Sequence, residues 1–462
     1  MKNAAVTPQP KLAVWLLVAA GLVYSMAHFA QSGVRRPLAV PNIGQIVEEF
    51  EVLRIHLATG QPIRVQQPRQ YGPAYILAIH GVVSVCGRDE RCLLHAVYAI
   101  QLIMLAGAFG FCWLSLRLWF ARIGRPLEDV SSVVLVASLL AILWLNFAPL
   151  LGIVATKNVE TWELCLLSAA LYAYLRTWRV MSGACVALAA LTKLLPFALV
   201  FYFLLVDRRT LIYACASALA VLSVSQAMYG SEMGFFYLWY IGAGAAAPSA
   251  YGNQPGLAWH ENISLKGIVA KMFGHLDDPA LAPGLSYPQV GYLTVASPRM
   301  RLVGNVVSYA AQGAALVWMI VVLLRDSARQ WLRETKTWWE WSLVTVMMLV
   351  LAPQTGIDYQ TLLLPAFSFA LAACVAFPDL RRDMTMMLSY GGAVVLVANI
   401  VPRSVVVRVS GVGWLLRLNH YTHLTTLEGF SYYGYPLLGM LLLVVALMRI
   451  RDHETFPIAA SA

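Results

Sequence analysis

The sequence predicts an all-α polytopic membrane protein, and three observations support this prediction. Sixty per cent of its 462 residues are hydrophobic and only 12% are charged, which is about half the charged fraction of a soluble domain. Apolar stretches long enough for a crossing of about 20 residues recur along the chain. Arginine and lysine cluster at the ends of these stretches. We therefore expect residues 1–462 to form a single integral membrane domain of about 10–12 transmembrane helices.

Ten apolar runs are candidates for the crossing helices. The first is too long for the hydrophobic core of a signal peptide, and no small-residue cleavage pattern follows it, so we expect it to remain as a helix. The runs cover residues 12–30, 93–119, 129–148, 159–177, 210–228, 304–324, 339–353, 360–377, 384–401 and 434–449.

Basic residues mark every second connection between these runs. Because such residues concentrate in cytoplasmic loops, the pattern places these connections and both chain termini in the cytoplasm. The same distribution explains the net charge of +10 by anchoring to anionic lipid, and it argues against a nucleic-acid partner. Clear examples are Arg122 with Arg125, Arg208 with Arg209, and Arg381 with Arg382.

The long connections all fall on the opposite, extracytoplasmic side. They comprise residues 31–92, 229–303 and 402–433. Functional residues concentrate on loops that a rigid scaffold positions. We therefore expect the chemistry on this side, between the loops and the outer helix ends, with 31–92 as the candidate catalytic loop.

Two further apolar stretches do not fit single crossings. Residues 71–85 have extracytoplasmic sequence on both sides and are too short to cross and return, which predicts a helix lying in or dipping into the membrane interface. Residues 183–206 lie between two cytoplasmic basic pairs and contain Lys193 and Pro196. Because proline interrupts a regular helix, we expect a hairpin of two short helices that turns near these residues.

The stretch EEFEVLRIHLATG, residues 48–60, carries much charge beside a membrane span. At about 100° per residue its apolar positions form one arc, which predicts an amphipathic helix on the outer membrane surface. Glu49 lies at the edge of this arc, in line with His56, where a cleft would partly desolvate the carboxylate and suit it as a general base. The alternative is an interfacial helix whose charges simply remain hydrated. The arc contains Ile43, Ile46, Val47, Phe50, Leu53 and Leu57.

Charged residues inside apolar runs are a second group of candidates. Lys193 lies between AALT and LLPFAL, where an ionised lysine costs a few kcal/mol unless it has an anionic partner or a polar cavity. It either contacts a phosphate or extends its amine to the interface. Glu163, near the start of the run at 159–177, is the other costly charge and a candidate partner for a lysine.

Three polar loops lie on the extracytoplasmic side. Ordinary helix capping explains each loop alone, but their occurrence on one side of the membrane favours a shared site. The residues are Lys157, Asn158 and Glu160 in ATKNVETWE, Gln354, Asp358 and Tyr359 in APQTGIDYQ, and His260, Asn262 and Lys266 in WHENISLKG.

Cysteine and histidine residues give weaker signals. Cys86 and Cys92 bracket a polar loop and either form a disulfide in an oxidising compartment or remain free thiols. His420 and His423 have a metal-ligand spacing, but no clear carboxylate or cysteine partner lies nearby in the sequence. No phosphate-binding, zinc-protease or dinucleotide motif is present, and we expect neither a metal nor a cofactor.

Several segments resemble the polyprenyl-phosphate-dependent mannosyltransferases of glycosyltransferase family 87, in the GT-C superfamily. The resemblance begins at MSGACVALAALTKLLPFALVFYFLLVDRR, residues 181–209, where a lysine and a proline interrupt an apolar hairpin. In the same order as in the family, EFEVLRIHLATGQPI is similar to its first-loop segment, QYGPAYIL to its Tyr-Pro-Pro turn, NISLKG to its Asn-x-Ser segment and APQTGIDYQTLLLP to its Ser-Pro loop.

The resemblance implies a GT-C-type bundle that transfers a sugar, usually mannose, from a polyprenyl-phosphate donor to a lipid or glycan acceptor outside a bacterial inner membrane, with inversion. The family's first-loop aspartate, its base, corresponds to Glu49 here, with Glu51 and Glu48 as alternatives. Cations that would hold the donor phosphate as negative charge accumulates are Lys193, Lys266, Arg64 and Arg69. The remaining candidate substrate-binding residues are His56, Tyr71, Asn158, Glu160, His260, Asn262, Asp358 and Tyr359.

Two other functions remain open at this point. A transporter or flippase of polyprenyl-linked or anionic lipid would also use the broken hairpin around Lys193, since discontinuous helices often form transport sites. A non-catalytic relative would keep the fold and bind lipid or a partner, and the glutamate at the base position favours it.

Overall fold

A computed structural model describes most of the membrane-embedded chain. The described residues are 12–35, 46–63, 71–124, 130–239, 263–272, 275–276, 293–294, 298–327, 331–353, 355–398 and 435–453.

The first half of the chain forms ten α-helices in the described residues. They are α1 Leu12–Phe29, α2 Ile46–Thr59, α3 Pro73–Cys86, α4 Glu90–Arg122, α5 Val130–Leu145, α6 Ala148–Thr156, α7 Glu160–Leu175, α8 Arg179–Thr192, α9 Phe197–Val206 and α10 Arg208–Tyr229. A π-helical turn, Ala30–Arg35, extends α1, and a 3-10 turn, Ser231–Met233, follows α10.

The second half adds further helices and one small strand pair. Its helices are α11 Leu265–Met272, α12 Pro298–Ser327, α13 Arg333–Leu351, α14 Leu364–Ala376, α15 Pro378–Arg382, α16 Met384–Ala398 and α17 Tyr435–Asp452, and a 3-10 turn, Ile357–Leu363, leads into α14. Strands β1 His275–Leu276 and β2 Leu293–Thr294 pair antiparallel.

Five helical segments of the described chain are long and apolar enough to cross a membrane. The bent pair α5 and α6, with 58° between its axes, makes a sixth if it is one span. Several expected crossings, such as α7, are shorter helices, so the number of crossings stays a prediction. The five segments are Leu12–Val34, Glu90–Arg122, Arg208–Tyr229, Leu302–Asp326 and Ile357–Ala376.

The centre of the bundle is α7, which buries fourteen of its sixteen residues. A helix that is apolar and buried all round has other helices on every side. Helices α4 and α8 flank it, and α13 and α14 are buried along nearly their whole length. The N-terminal end of α7 therefore lies inside the protein, and any polar group placed there is shielded from both water and lipid.

The predicted broken hairpin is present. Helix α8 ends at Thr192 and α9 begins at Phe197, with Lys193 and Pro196 in the break between them. At the base of the hairpin, Arg179 Nε donates a hydrogen bond to Asp207 Oδ2 at 2.9 Å. Burial would raise the pKa of Asp207, but the bonds from Arg179 and Thr210 outweigh it and hold this pKa below its usual value. The pair ties the start of α8 to the end of α9.

The extracytoplasmic segments differ in part from the prediction. The apolar stretch at 71–85 is a helix, but α3 packs against α2, α4, α8 and α10, and Ile76, Ile79 and Val83 are buried among them. The arc on α2 is confirmed at Phe50 and Leu53, which are buried, whereas Leu57 is 43% exposed. Cys86 and Cys92 form a disulfide, which joins the end of α3 to the first turn of α4.

Candidate active site

Four segments that are distant in sequence meet at the N-terminal end of α7. They are the turn before α3, the turn between α6 and α7, the break between α8 and α9, and the 3-10 turn before α14. Each is a point where a helix begins or ends, so backbone polar groups and short loops are available there. The four segments bring together six of the residues that the sequence identified as candidates: Tyr71, Asn158, Glu160, Lys193, Asp358 and Tyr359.

Asn158 connects three of these segments. Its Oδ1 accepts hydrogen bonds from the Tyr71 hydroxyl and from the Val159 N–H, and its Nδ2 donates to Asp358 Oδ2 at 3.3 Å. The backbone carbonyl of Asn158 accepts a bond from Gln101 Nε2 at 2.6 Å. These bonds fix which way the Asn158 amide faces, and they place the Asp358 carboxylate, which is only partly buried, beside the cluster.

Lys193 is the central cation. Its side chain is only 4% exposed, and its Nζ donates to Glu160 Oε1. The same ammonium lies 5.2 Å from the ring centre of Tyr71 and 4.4 Å from that of Tyr359, at distances where a cation is attracted to an aromatic face. The lysine therefore does not extend to a membrane interface, and its ammonium group lies between a carboxylate and two aromatic rings.

The carboxylates around Lys193 outnumber it. Glu160 and Glu163 are both 0% exposed and one turn apart on α7. Neither oxygen of Glu163 has a hydrogen-bond partner among the described residues, and Glu160 Oε2 lacks one as well. The sequence suggested Glu163 as a lysine partner, but the hydrogen bond goes to Glu160.

Gly72 holds the first of these segments against the broken hairpin. Its N–H donates to the Thr192 carbonyl at 2.8 Å. A Cβ at this position would lie 2.1 Å from the Leu191 carbonyl oxygen and 2.8 Å from the Tyr237 hydroxyl. Only glycine permits this backbone approach, which sets Tyr71 beside Lys193.

Lys157 forms the left-handed turn between α6 and α7, with φ at +60°. Helices commonly end with a residue in this conformation, but it is unfavourable for a residue that carries a side chain. The side chain is buried, and burial lowers the pKa of Lys157 below its usual value.

Lys266 is a second buried lysine, 4% exposed, on α11. Its Nζ donates to the Tyr309 hydroxyl at 3.0 Å and lies 4.5 Å from the centre of that ring. No carboxylate among the described residues pairs with it. The Ile263 N–H donates to the Thr355 carbonyl at 2.8 Å, so the base of α11 is joined to the segment that carries Asp358 and Tyr359.

Other candidates lie elsewhere. His56 contacts the ring of Tyr229 edge-on at 5.2 Å and bonds the Gln61 carbonyl, away from the Lys193 cluster. Glu51 is 57% exposed and pairs with Arg54 at 3.2 Å. The side chains of Glu48 and Glu49 lie outside the described residues, as do Arg64, Arg69, His260 and Asn262.

Two residues of the cluster were not predicted. Gln101 is fully buried in the middle of α4, and Tyr237 is fully buried beside Gly72. A lone glutamine within an apolar span is costly unless it has a partner. The position of Gln101 in such a span could therefore have identified it as a candidate. Tyr237 gave none, because it lies among other aromatic residues in a long loop.

Comparison with known families identifies the class of protein. Residues 92–297 match the model of glycosyltransferase family 87. The match supports the predicted family over this segment, which is less than half of the chain. The segment contains Asn158, Glu160, Lys193 and Lys266, and the match supports glycosyltransferase activity. The helices of the described residues, with five candidate membrane spans among them, confirm the predicted class of a helical polytopic membrane protein.

Comparison with solved structures and curated proteins adds the following. The structure is similar to the crystal structure of ArnT from Cupriavidus metallidurans bound to undecaprenyl phosphate, with 16% sequence identity, 95% of this chain and 77% of that chain covered, and a TM-score of 0.37. No curated protein matches the chain.

Proposed function

We propose that this family 87 enzyme transfers a sugar, mannose by the family resemblance, from a polyprenyl-phosphate donor to a lipid or glycan acceptor on the extracytoplasmic face of a bacterial inner membrane. The observation that supports this most directly is Lys193, a buried ammonium between two tyrosine rings at the junction of four segments. A buried lysine is unfavourable for stability, so a role in binding an anion explains its presence.

The donor phosphate is assigned to Lys193. When the sugar leaves, the electrons of its bond to oxygen pass to the phosphate, which gains negative charge. A fixed cation in a water-poor site stabilises that charge more strongly than water does. Lys266 is the proposed second cation, because it is buried without a carboxylate partner among the described residues and its helix is joined to the same 3-10 segment.

Glu49 is the proposed base, with Glu51 and Glu48 as alternatives. It removes the proton from the acceptor hydroxyl as that oxygen attacks the anomeric carbon, and the bond from this carbon to the phosphate oxygen breaks on the opposite face. One displacement inverts the anomeric centre. Helix α2, which carries Glu49, packs on α3, and the turn that begins α3 holds Tyr71 beside Lys193.

The orientation in the membrane rests on the basic cytoplasmic loops and on the disulfide. Disulfides persist in oxidising compartments, and the Cys86–Cys92 bond lies in the loop that the charge pattern places outside. Both termini are then cytoplasmic, and the turn at Lys193 lies toward the extracytoplasmic side.

The test is a transfer assay with the purified protein in nanodiscs, radiolabelled polyprenyl-phosphate mannose and a bacterial membrane lipid extract. The proposal expects a labelled product that forms with the native protein and with Glu334→Gln, but not with Glu49→Gln. Glu334 is a matched control because it pairs with Arg122 at 3.4 Å, about 30 Å along α4 from Gln101.

Three results would contradict parts of the proposal. Movement of intact donor across the bilayer without product indicates a flippase, and binding without movement or product indicates a non-catalytic relative. If Glu51→Gln abolishes transfer and Glu49→Gln does not, the base assignment is wrong and the reaction class stands.

A further inference from the structure

The Lys193 cluster contains three carboxyl groups and one lysine ammonium group. Glu160 and Glu163 are fully buried on consecutive turns of α7, and Asp358 adds a third carboxylate through Asn158. Like charges in a buried site oppose one another. A site whose only task was to hold an anion tightly would not surround its cation with carboxylates.

The bond between Lys193 and Glu160 is a single contact. It uses one oxygen of Glu160, and Glu160 Oε2 has no partner among the described residues. Lys193 otherwise faces the rings of Tyr71 and Tyr359. An ammonium group has three donors in a rotatable arrangement, so Lys193 can exchange its bond to Glu160 for a bond to another anion that binds beside it.

We propose that Glu160 competes with the lipid phosphate for Lys193 and thereby sets how fast the spent lipid carrier is released. This inference rests on the proposed function, because it requires that Lys193 binds the phosphate. Glu160 is then a counter-ion of the empty site and a positioning residue for Lys193, and it makes no contact with the sugar.

The chemistry of the reaction explains why such a competitor is needed. The donor is a phosphodiester with one negative charge. After transfer the carrier is a phosphomonoester, which carries about −1.5 to −2 charges near neutral pH. A bare Lys193 would therefore hold the product more tightly than the substrate, and product release often limits turnover. Glu160 offers Lys193 an alternative anion at the moment of release.

The experiment measures the affinity of the nanodisc-embedded enzyme for undecaprenyl phosphate, together with kcat and the donor KM. Glu160→Gln should lower the dissociation constant about tenfold, since one competing charge is removed. The same substitution should lower both kcat and the donor KM, because release becomes slow. Glu160→Asp keeps the charge at a greater distance and should give an intermediate affinity, and the control Glu334→Gln should match the native protein.

Thermal unfolding provides a second measurement. Removing Glu160 leaves Lys193 as an unpaired buried charge, so Glu160→Gln should unfold at a lower temperature. Undecaprenyl phosphate should restore more of the unfolding temperature in this variant than it adds to the native protein. If Glu160→Gln does not purify, the affinity of Glu160→Asp decides the question, since an affinity at or below the native value contradicts the inference.

The outcomes separate this inference from the proposed function. If the native protein binds undecaprenyl phosphate and Lys193→Met does not, but Glu160→Gln binds as the native protein does or more weakly, then the competition is wrong and the function stands. If Lys193→Met binds the lipid as well as the native protein, the phosphate site itself is wrong.

Discussion

Two cations of this protein, Lys193 with 4% of its side chain exposed and Arg451 with 12% exposed, have opposite surroundings. Arg451 makes two parallel hydrogen bonds to one carboxylate, from Nε to Asp326 Oδ2 at 2.7 Å and from Nη2 to Oδ1 at 2.9 Å. Asp326 is fully buried, and the Arg451 guanidinium lies 6.0 Å from the ring centre of Trp339. Lys193 bonds a single carboxylate oxygen, Glu160 Oε1, and the oxygens of Glu163 on the next turn have no hydrogen-bond partner among the described residues.

This difference indicates two roles. The pair of Arg451 and Asp326 holds helices together, whereas Lys193 can exchange its bond to Glu160 for a bond to a bound anion. The bidentate pair of Arg451 and Asp326 joins α12, α13 and α17 at the end of the bundle where α13 begins. The Lys193 cluster lies near the other end of α13. It has more carboxyl groups than ammonium groups, and Glu160 Oε2 and both oxygens of Glu163 lack hydrogen-bond partners among the described residues. Incomplete satisfaction of buried charge lowers stability, and it is expected where a ligand completes the site.

Replacing each cation by methionine should give the largest effects and should separate the two roles. Lys193→Met should reduce transfer by at least about 100-fold, because a charge-stabilising group is lost, and should abolish binding of undecaprenyl phosphate. Arg451→Met should lower the unfolding temperature, because Asp326 is left unpaired, while the donor KM of the folded fraction stays near the native value.

The comparison fails if these results are reversed. An active Lys193→Met enzyme would make the lysine a structural residue. A raised donor KM in Arg451→Met would place that end of the bundle in the substrate site.

A methyl group at Gly72 should have the next largest effect. In Gly72→Ala the new Cβ meets the Leu191 carbonyl oxygen at 2.1 Å, so the turn that carries Tyr71 must move away from Lys193. A displacement of about 1 Å can cost about 100-fold in rate. The matched control is Gly81→Ala on the neighbouring helix, where nothing lies within 4 Å of the new Cβ. Equal activities of the two variants in the transfer assay would show that this turn does not position the site.

Changing the amide of Asn158 to a carboxylate should have a moderate effect. Asn158→Asp keeps the acceptor for Tyr71 but loses the donor to Asp358 and places two carboxylates together. We expect activity to fall about tenfold, equivalent to about 1.4 kcal/mol in the barrier. The matched control, Asn146→Asp, changes an amide that donates to Ser25 and to the Ile142 carbonyl and to no residue of the cluster, and it should retain activity. If Asn158→Asp transferred sugar at the native rate, this would show that Asn158 does not position Asp358.

Removing the disulfide should have the smallest effect. Cys86→Ser with Cys92→Ser opens a short loop and should lower the free energy of unfolding by roughly 2 kcal/mol. The same turn accepts a hydrogen bond from Arg54 on α2 at its Gly87 carbonyl, so a modest loss of activity should follow if α2 carries the base. Cys215→Ser, at an exposed free cysteine, serves as the control. Reductant should lower the unfolding temperature of the native protein and of Cys215→Ser, but not that of the double variant.

The sequence allowed some of this site to be predicted, for local reasons. A lysine and a proline inside one apolar run cannot continue a helix cheaply, so the turn at Lys193 and Pro196 was predictable. The polar residues at helix starts, Asn158 and Asp358, were also visible. The sequence could not predict that Lys193 pairs with Glu160 and not with Glu163. Both glutamates lie near the same end of one helix, and packing across the bundle selects between them.

Local sequence patterns could not predict that segments distant in sequence meet at this site. Tyr71 reaches Lys193 because Gly72 contacts the end of α8, and this contact joins residues more than a hundred positions apart in the sequence. The burial of α3 was missed for a related reason. Its apolar surface fits a membrane interface as well as a protein core, and only the neighbouring helices decide which one covers it.

The most direct test of the central claim is a cryo-EM structure of the protein in nanodiscs with undecaprenyl phosphate. Our account predicts that the phosphate lies within hydrogen-bonding distance, about 3 Å, of Lys193 Nζ, between the rings of Tyr71 and Tyr359, with the bond to Glu160 lengthened or broken. A phosphate bound elsewhere on the protein, with the pair of Lys193 and Glu160 unchanged, would contradict it.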